Sequence, residues 1–194
     1  MSRGAAGWLE SLWARNGAGA LALTPVSWLY ALAVGARNVA YDFESLTSVP
    51  LRAPTVSIGN LTVGGTGKTP VSAWVAGRLQ ALGFRPGILL RGYGDDEPLV
   101  HGRLTPEAIV VANPDRIAGA ELARSRGARA LVLDDAFQYR RAARDLDIVL
   151  VAAEQGRVNR RLPAGPLREG PGALTRADIL MVTRKTASIA VAEE

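Results

Sequence analysis

The sequence contains no cysteine, one histidine and only two lysines among its 194 residues. Without cysteine there can be no disulfide framework, no thiolate metal site and no cysteine nucleophile, which suits a reducing compartment. The net charge of +5 comes almost wholly from arginine, whose planar side chain suits phosphate groups or anionic lipid. No recognition-helix, zinc or aromatic-basic motif favours nucleic acid as a partner.

Charged residues are also missing from positions 17–36, a run that reaches the lower limit for a membrane-spanning helix. The glycines and polar residues within it argue against a span. Thr24-Pro25 is typical of a helix start, with Thr24 as the N-cap and Pro25 at the first helical position. We expect the helix that follows to present one face formed by Val26, Leu29, Tyr30, Ala33 and Ala40.

An earlier short helix would place four apolar residues on one side, between Arg3 and Arg15. Tryptophan beside arginine is typical of a helix lying on a membrane surface, although the same stripe could pack on the core. No compact apolar region with a cleavage site follows the basic start, which disfavours a signal peptide. The four residues are Trp8, Leu9, Leu12 and Trp13.

Residues 62–69 fit the phosphate-loop pattern G-x-x-x-x-G-K-[ST] at every fixed position except the first, where Thr62 replaces glycine. A predicted strand at 54–58 precedes the loop and a predicted helix at 71–82 follows it. Glycines let backbone N–H groups approach phosphate oxygens, Lys68 can reach the β and γ phosphates, and the Thr69 hydroxyl can ligate Mg²⁺. The predicted nucleotide-binding residues are Thr62, Val63, Gly64, Gly65, Thr66, Gly67, Lys68 and Thr69.

The rest of the chain alternates strands with helices, which predicts an α/β fold of the P-loop NTPase type. Its sheet should be mostly parallel, with helices on both faces and the active edge at the carboxyl ends of the strands. We expect a loop at 91–98 and a helix at 114–126. Further strands are predicted at 86–90, 108–111, 130–133, 146–152 and 179–183.

Carboxylates fall at that edge. Asp134 and Asp135 follow an apolar strand and have the form of an acidic motif that holds Mg²⁺ directly or through water, although a helix cap or turn would place them similarly. Asp96 and Glu97 could accept a proton from an attacking hydroxyl or complete the metal shell. A solvated acidic turn accounts for their spacing nearly as well.

Basic residues near these motifs have two interpretations. Arg168 could hold a phosphate through its planar fork, with Glu169 as its partner or as a metal ligand, or the two could form a surface salt bridge. The lone His101 sits beside a turn glycine and is expected at the surface. We expect a solvated face formed by Arg140, Arg141 and Arg144, although one of these arginines could contact an anionic substrate.

Together these residues resemble the tetraacyldisaccharide 4'-kinases, which phosphorylate the lipid A precursor disaccharide in Gram-negative bacteria. Five separated motifs carry the resemblance, and their order and identity make it specific. They occupy residues 57–70, 90–94, 96–99, 134–146 and 163–169.

The resemblance implies ATP at the phosphate loop and transfer of its γ-phosphoryl group to the 4' hydroxyl of a lipid-linked disaccharide. It implies that Asp96 is the proton-accepting catalytic residue beside Lys68, and that Arg168 contacts phosphate. Residues 1–50 would form a helical segment on the cytoplasmic face of the inner membrane, followed by a nucleotide-binding kinase domain at 51–194. The implied Mg²⁺ ligands are Thr69, Glu97, Asp134, Asp135 and Glu169.

The sequence also departs from the family pattern. Ala136 and Tyr139 stand where glycine and histidine are usual, the loop before Asp96 is short, and the family's second lobe after the strand near Met181 has no counterpart before Glu194. Three interpretations therefore stay open. The chain is a family kinase, in whole or in part, a nucleotide-binding remnant without kinase activity, or a P-loop ATPase that acts on a protein partner.

Overall fold

The structure is a computed structural model that describes residues 13, 21–92, 96–153 and 160–184, without the side chains of residues 96 and 97. Two compact units make up the chain. The first unit draws on residues 1–46, 61–65 and 155–173, and the second draws on residues 47–60, 66–154 and 174–194. Because the chain crosses between units more than once, each unit is assembled from distant parts of the sequence.

The second unit contains a sheet of six strands, which pair in parallel throughout. Its order is β3-β2-β4-β1-β5-β6, so that β1 lies in the middle between β4 and β5. All six strands therefore end at the same edge, and the loop after β1 emerges beside the end of β4, where Ile58 pairs with Asp134. The strands are β1 (Thr55–Asn60), β2 (Pro86–Leu90), β3 (Ile109–Ala112), β4 (Ala130–Asp134), β5 (Leu146–Ala152) and β6 (Ile179–Thr183).

Helices cover both faces of this sheet, as the sequence predicts. Alternate residues of a strand point to opposite faces. On one face, Leu131 and Leu133 pack with Ala123 of a helix, and on the other Val132 packs with Val75 of a second helix. The described helices are α1 (Thr24–Asp42), α2 (Lys68–Ala81), α3 (Asp96–Leu104) and α4 (Arg116–Ser125), with a 3-10 helix at Pro171–Arg176.

Several helix starts differ from the prediction, among them that of α2, which begins at Lys68 rather than at residue 71. The predicted loop at 91–98 is wrong at its end, because α3 already begins at Asp96. Acidic residues and proline are favoured in the first turn of a helix, so the sequence Asp-Glu-Pro suits a helix start as well as a turn. The helix predicted from residue 114 begins at Arg116, since the Asp115 side chain accepts a hydrogen bond from the Ile117 N–H at 2.9 Å and caps it.

In the first unit, α1 begins one residue earlier than predicted and presents a different face. Leu23 rather than Thr24 is its N-cap, without a side-chain capping bond, so the predicted cap is wrong. Val26 and Leu29 are 50% and 69% exposed, so the face predicted from the spacing is not buried at these two positions. The covered face instead carries hydrogen-bonding side chains. The Ser27 hydroxyl accepts from the Ala164 N–H at 3.0 Å, and the Tyr30 hydroxyl donates to the Arg168 carbonyl oxygen at 3.0 Å.

The predicted earlier helix lies outside the described residues except for Trp13. The Trp13 indole N–H donates to the Pro163 carbonyl oxygen at 2.9 Å, and the side chain is half-buried. Nothing in the described ranges forms a helix with the length and hydropathy that a bilayer crossing requires.

Candidate functional site

The phosphate loop has the backbone conformations that only glycine adopts easily. Gly64 has a φ of 117° and Gly67 a φ of 84°, both in the left-handed region that disfavours residues with a Cβ. Gly67 is also the N-cap of α2, so the loop ends on a helix N-terminus. The N–H groups and the dipole of a helix N-terminus favour an anion such as phosphate.

The second half of the loop is held by polar side chains of the second unit. Thr66 is buried, and its hydroxyl oxygen accepts from the Asn60 amide at 2.9 Å. Its carbonyl oxygen accepts from the Thr183 hydroxyl at 2.9 Å, at the end of β6. The Gln138 amide donates to the Asn60 carbonyl oxygen at 2.7 Å. Sequence reasoning missed Asn60 and Thr183, although Asn60 directly precedes the loop.

The first half of the loop belongs to the first unit, where it lies against the segment that carries Arg168. The Val63 N–H donates to the Pro166 carbonyl oxygen at 2.8 Å, and the Arg168 N–H donates to the Leu61 carbonyl oxygen at 2.7 Å. Thr62 is buried and forms an antiparallel bridge with Leu167. The backbone of Arg168 is therefore fixed beside the start of the loop, and the role of its side chain at phosphate stays a prediction.

Two of the predicted site residues meet at the active edge of the sheet. The Lys68 ammonium nitrogen lies 3.6 Å from Asp135 Oδ1, and their side chains are 13% and 33% exposed. Asp135 has a φ of 53°, which aspartate tolerates better than most residues. The lysine expected at the phosphates thus lies beside a carboxylate expected at the metal.

Asp134 is buried and held from two helices. Its Oδ2 lies 3.0 Å from His101 Nε2, and its carbonyl oxygen accepts from the buried Arg116 guanidinium at 3.0 Å. Burial lowers the pKa of Arg116, while the charges of Asp135 and Asp134 oppose the shift. The surface position predicted for His101 is wrong, because the neighbouring Gly102 lies within α3 rather than in a turn, and His101 is fully buried.

The carboxylates at the end of β4 fit a divalent cation. Asp134 Oδ1 is buried and has no hydrogen-bond partner in the part of the chain that the structure describes. Mg²⁺ is usually bound through one or two carboxylates together with phosphate oxygens and water, and Thr69 in the first turn of α2 would add a hydroxyl. The described residues include no cluster of three histidine or acidic side chains that would hold a metal by itself.

Three other acidic residues were predicted at the metal or at the reacting hydroxyl. In the first unit, Glu169 is 2% exposed, and its carboxylate accepts from the Asn38 amide at 2.9 Å and from Arg37 at 3.4 Å. Sequence reasoning missed both of these α1 residues. The backbones of Asp96 and Glu97 begin α3, but their side chains lie outside the described part of the structure. Their predicted roles remain predictions.

The arginines after the acidic motif do not form one solvated face. Arg144 is only 10% exposed, pairs with Asp147 at 2.9 Å and donates to the Phe137 carbonyl oxygen at 2.8 Å, so the prediction is wrong for this residue. Arg141 is 57% exposed and lies 3.6 Å from Asp115, as a surface arginine would. Arg144 therefore stabilises the turn that follows Asp135 by binding its carbonyl groups.

Tyr139, one of the two substitutions that depart from the family pattern, contacts the cap of α4. Its hydroxyl donates to Asp115 Oδ1 at 3.3 Å. The Ile117 N–H, more than any other group, lowers the pKa of Asp115, because it donates a hydrogen bond to the ionised carboxylate. Ala136, the other departure, is fully buried.

Comparison with known proteins identifies relatives along nearly the whole chain. The family model of tetraacyldisaccharide-1-P 4'-kinase matches residues 19–98 and 94–194. The tetraacyldisaccharide 4'-kinase of Anaeromyxobacter dehalogenans is 41% identical over an aligned length of 208, and the match covers 90% of this chain and 54% of that protein. That of Chlorobium luteolum is 37% identical over an aligned length of 191, and the match covers 84% of this chain and 54% of that protein.

A solved structure agrees with this relationship. LpxK from Aquifex aeolicus, in complex with ATP, is similar to this chain with a TM-score of 0.79 and 36% sequence identity. The match covers 84% of this chain and 58% of that one. The chain spans about half the length of the curated relatives it matches. With its fold, its phosphate loop and the family model all in agreement, the chain belongs to the tetraacyldisaccharide-1-P 4'-kinase family.

Proposed function

We propose that the chain binds ATP with Mg²⁺ and transfers the γ-phosphoryl group to the 4' hydroxyl of a tetraacyldisaccharide 1-phosphate, a step of lipid A biosynthesis. The observation that carries the proposal is the arrangement at the active edge of the sheet. There a glycine loop leads into the N-terminus of α2, and Lys68 lies 3.6 Å from Asp135 at the end of a neighbouring strand. Membership of the family supplies the acceptor.

The residues of the loop would act by positioning and by neutralising charge. Its backbone N–H groups and Lys68 would bind the β and γ phosphates and align the γ-phosphoryl group with the acceptor hydroxyl. Asp134, Asp135 and Thr69 would hold Mg²⁺, which when bound neutralises charge on the phosphate oxygens. No covalent enzyme intermediate is needed for this transfer.

The remaining roles rest on the family resemblance. Asp96, in the first turn of α3, would accept the proton of the 4' hydroxyl as the new bond to phosphorus forms. Arg168 would contact phosphate, and Glu97 and Glu169 would complete the metal shell. Asp96→Asn should then reduce transfer while leaving ATP binding in place, because it removes a proton acceptor and no phosphate contact.

The test is a transfer assay with γ-labelled ATP and the disaccharide lipid as acceptor, run beside calorimetric ATP binding. Lys68→Ala should nearly abolish transfer. Arg78→Ala, an exposed position on the same helix, is the matched control and should change neither quantity. An unchanged transfer rate in a folded Lys68→Ala variant would refute the phosphate-loop assignment.

The same assay separates the alternatives. A nucleotide-binding remnant without kinase activity is the first alternative. ATP binding without transfer to lipid would support the remnant and contradict the kinase. ATP hydrolysis that needs no lipid and is stimulated by a protein would support an ATPase that acts on a protein partner.

We also propose that α1 lies on the surface of the membrane that carries the lipid substrate, on its cytoplasmic face. Large apolar side chains are exposed along one side of this helix and at its C-cap: Trp28 and Leu32 are each 71% exposed, Val39 52% and the C-cap residue Phe43 79%. Their spacing of four, eleven and fifteen residues from Trp28 places them on one face. A contiguous exposed apolar face marks an interaction surface, and tryptophan is favoured at the lipid headgroup level.

Cosedimentation with vesicles that contain anionic phospholipid tests this surface. The double variant Trp28→Ser, Leu32→Ser should lose most of the vesicle-bound fraction because it removes the centre of the apolar face. Trp74→Ser is the matched control, since Trp74 is 59% exposed but lies on α2. Equal binding by both variants would refute the proposal for α1.

A further inference from the structure

His101 is buried against one of the two carboxylates expected at the metal. Resting on the proposed function, we propose that His101 is a positioning residue. Its Nε2–H holds Asp134 Oδ2 and thereby leaves Asp134 Oδ1 directed to the Mg²⁺ ion. Neither the motif pattern nor the family resemblance assigns a role to this residue.

The hydrogen-bond partners determine which ring nitrogen carries the proton. Nε2 lies 3.0 Å from Asp134 Oδ2, whereas Nδ1 is buried and has no partner among the residues that the structure describes. A proton on Nδ1 would leave a buried donor unsatisfied and would turn the Nε2 lone pair toward a carboxylate oxygen. The neutral ring therefore carries its proton on Nε2 and donates it to Asp134.

The rest of Asp134 is fixed as well. The Arg116 guanidinium, itself 2% exposed, donates to the Asp134 carbonyl oxygen at 3.0 Å and to the Asn113 carbonyl oxygen at 2.9 Å. The backbone is thus held from α4 and the carboxylate from α3. Groups that hydrogen-bond a metal ligand fix its orientation and so raise its affinity for the metal.

The neighbouring carboxylate is arranged differently. Asp135 is more exposed than Asp134 and pairs with Lys68, a side chain expected to bind phosphate. Asp134 has no such mobile partner in the described structure: the groups that hold it are the buried ring of His101 and the buried guanidinium of Arg116. We infer that Asp134 is the preorganised ligand and that Asp135 adapts to the nucleotide.

The contact also secures α3. His101 follows Asp96 by five positions on this helix, about 7.5 Å along its axis. Its bond to Asp134 therefore ties the helix that begins at the proposed proton acceptor to the end of β4. One side chain would position both a metal ligand and the helix of the catalytic base.

The first test uses the fact that His101 is the only histidine in the sequence. A ¹⁵N-labelled full chain without a histidine tag should show one imidazole in ¹H–¹⁵N correlation spectra. We expect the Nε2–H tautomer, and a shift of the ring nitrogens when Mg²⁺ and a non-hydrolysable ATP analogue are added. Two averaged ring nitrogens, as in a solvated histidine, would overturn the proposal without bearing on kinase activity.

The second test compares two substitutions. His101→Leu removes the donor, so the apparent Kd for Mg²⁺, measured at fixed ATP with a fluorescent analogue, should rise by roughly 10–100-fold. ATP binding in EDTA should not change. His101→Gln keeps a side-chain N–H donor and should restore most of the affinity. Arg103→Gln, on an exposed position of the same helix, is the matched control.

The outcomes distinguish this inference from the proposed kinase activity. A folded His101→Leu variant with wild-type Mg²⁺ affinity, or equal losses in the Leu and Gln variants, would overturn the role of His101. A wild-type chain that binds Mg²⁺ and ATP but transfers no phosphoryl group would contradict the kinase and leave this inference standing. If thermal unfolding shows that the Leu variant does not fold, the Gln variant and the tautomer decide the question.

Discussion

Replacing Asp135 should change ATP affinity in opposite directions depending on Mg²⁺. Asp135 lies 3.6 Å from the Lys68 ammonium group, so it competes with phosphate for that lysine and adds a negative charge beside the nucleotide. In EDTA, Asp135→Asn should therefore bind ATP more tightly than the wild type. With Mg²⁺ present, the variant should bind ATP more weakly, because it has lost a proposed metal ligand.

The size of the gain follows from the geometry of the pair. Two unit charges at this separation interact by about 1 kcal/mol in bulk water and about 5 kcal/mol at an effective dielectric of 20. Because Asp135 is 33% exposed, the value measured for exposed pairs, about 0.2–1 kcal/mol, is the better guide. A value of about 1 kcal/mol corresponds to roughly a fivefold decrease in Kd.

The substitution should not disturb the backbone. Asp135 has a φ of 53°, and asparagine adopts this left-handed region as readily as aspartate does. Isothermal titration calorimetry with ATP, first in EDTA and then with Mg²⁺, measures both effects. Glu121→Gln is the matched control, because it also removes one negative charge but at an exposed position on α4.

The ATP affinities measured without and with Mg²⁺ test two separate proposals about Asp135. An unchanged or weaker ATP affinity of Asp135→Asn in EDTA would show that Asp135 does not compete for Lys68. An unchanged affinity with Mg²⁺ would show that Asp135 is not a metal ligand. The same tightening in Glu121→Gln would mean that only net charge matters.

Two further predictions concern stability. Gly59→Ala should destabilise the fold by about 1–3 kcal/mol, because a Cβ there would overlap the Phe137 Cβ and lie 2.9 Å from the Phe137 backbone nitrogen. Gly77→Ala is the control: an added Cβ there meets no atom within 4 Å, so the substitution should stabilise α2 by about 1 kcal/mol. Equal changes in the free energy of unfolding in urea would contradict this prediction. Asp115→Ala should cost about 1 kcal/mol at neutral pH by removing the cap of α4. Since the pKa of Asp115 is lowered on folding, its ionised form stabilises fully above the unfolded value of about 3.9 and progressively less as the pH falls through the folded value. The difference between wild type and variant should therefore narrow in melts below that range, whereas a constant difference would show that charge is not involved.

Much of the sheet could be predicted because local patterns determine it. The strands β2, β5 and β6 have the predicted bounds, since each is a short apolar run between turn residues or helices. The phosphate loop is equally local: its two left-handed glycines and the helix that follows are consecutive in the chain.

The wrong prediction for His101 comes from an ambiguous segment before it. Aspartate, glutamate and proline are common both in loops and in the first turn of a helix, so the residues from Asp96 onward were compatible with either. With a loop there and Gly102 interpreted as a turn glycine, His101 is expected at the surface. Predicting α3 would have placed it on a helix, where its burial could be considered.

Other contacts could not be read from any local pattern. Thr183 bonds to Thr66 across 117 positions and Asn38 bonds to Glu169 across 131 positions. Nothing in the sequence around these residues indicates that they form a long-range hydrogen bond. Only the fold brings these partners together, so they are visible in the structure alone.

The two faces of α1 determine which substitutions can test membrane binding without also affecting phosphoryl transfer. Its outer face is apolar, whereas on its inner face the Tyr30 hydroxyl binds the Arg168 carbonyl oxygen and the Asn38 amide binds the Glu169 carboxylate. Deleting the helix would therefore remove the proposed membrane contact and release two predicted site residues at once. A loss of activity on deletion could not be assigned to either cause. Substitutions confined to Trp28 and other outer residues leave the inner bonds intact, so they alone report on the membrane.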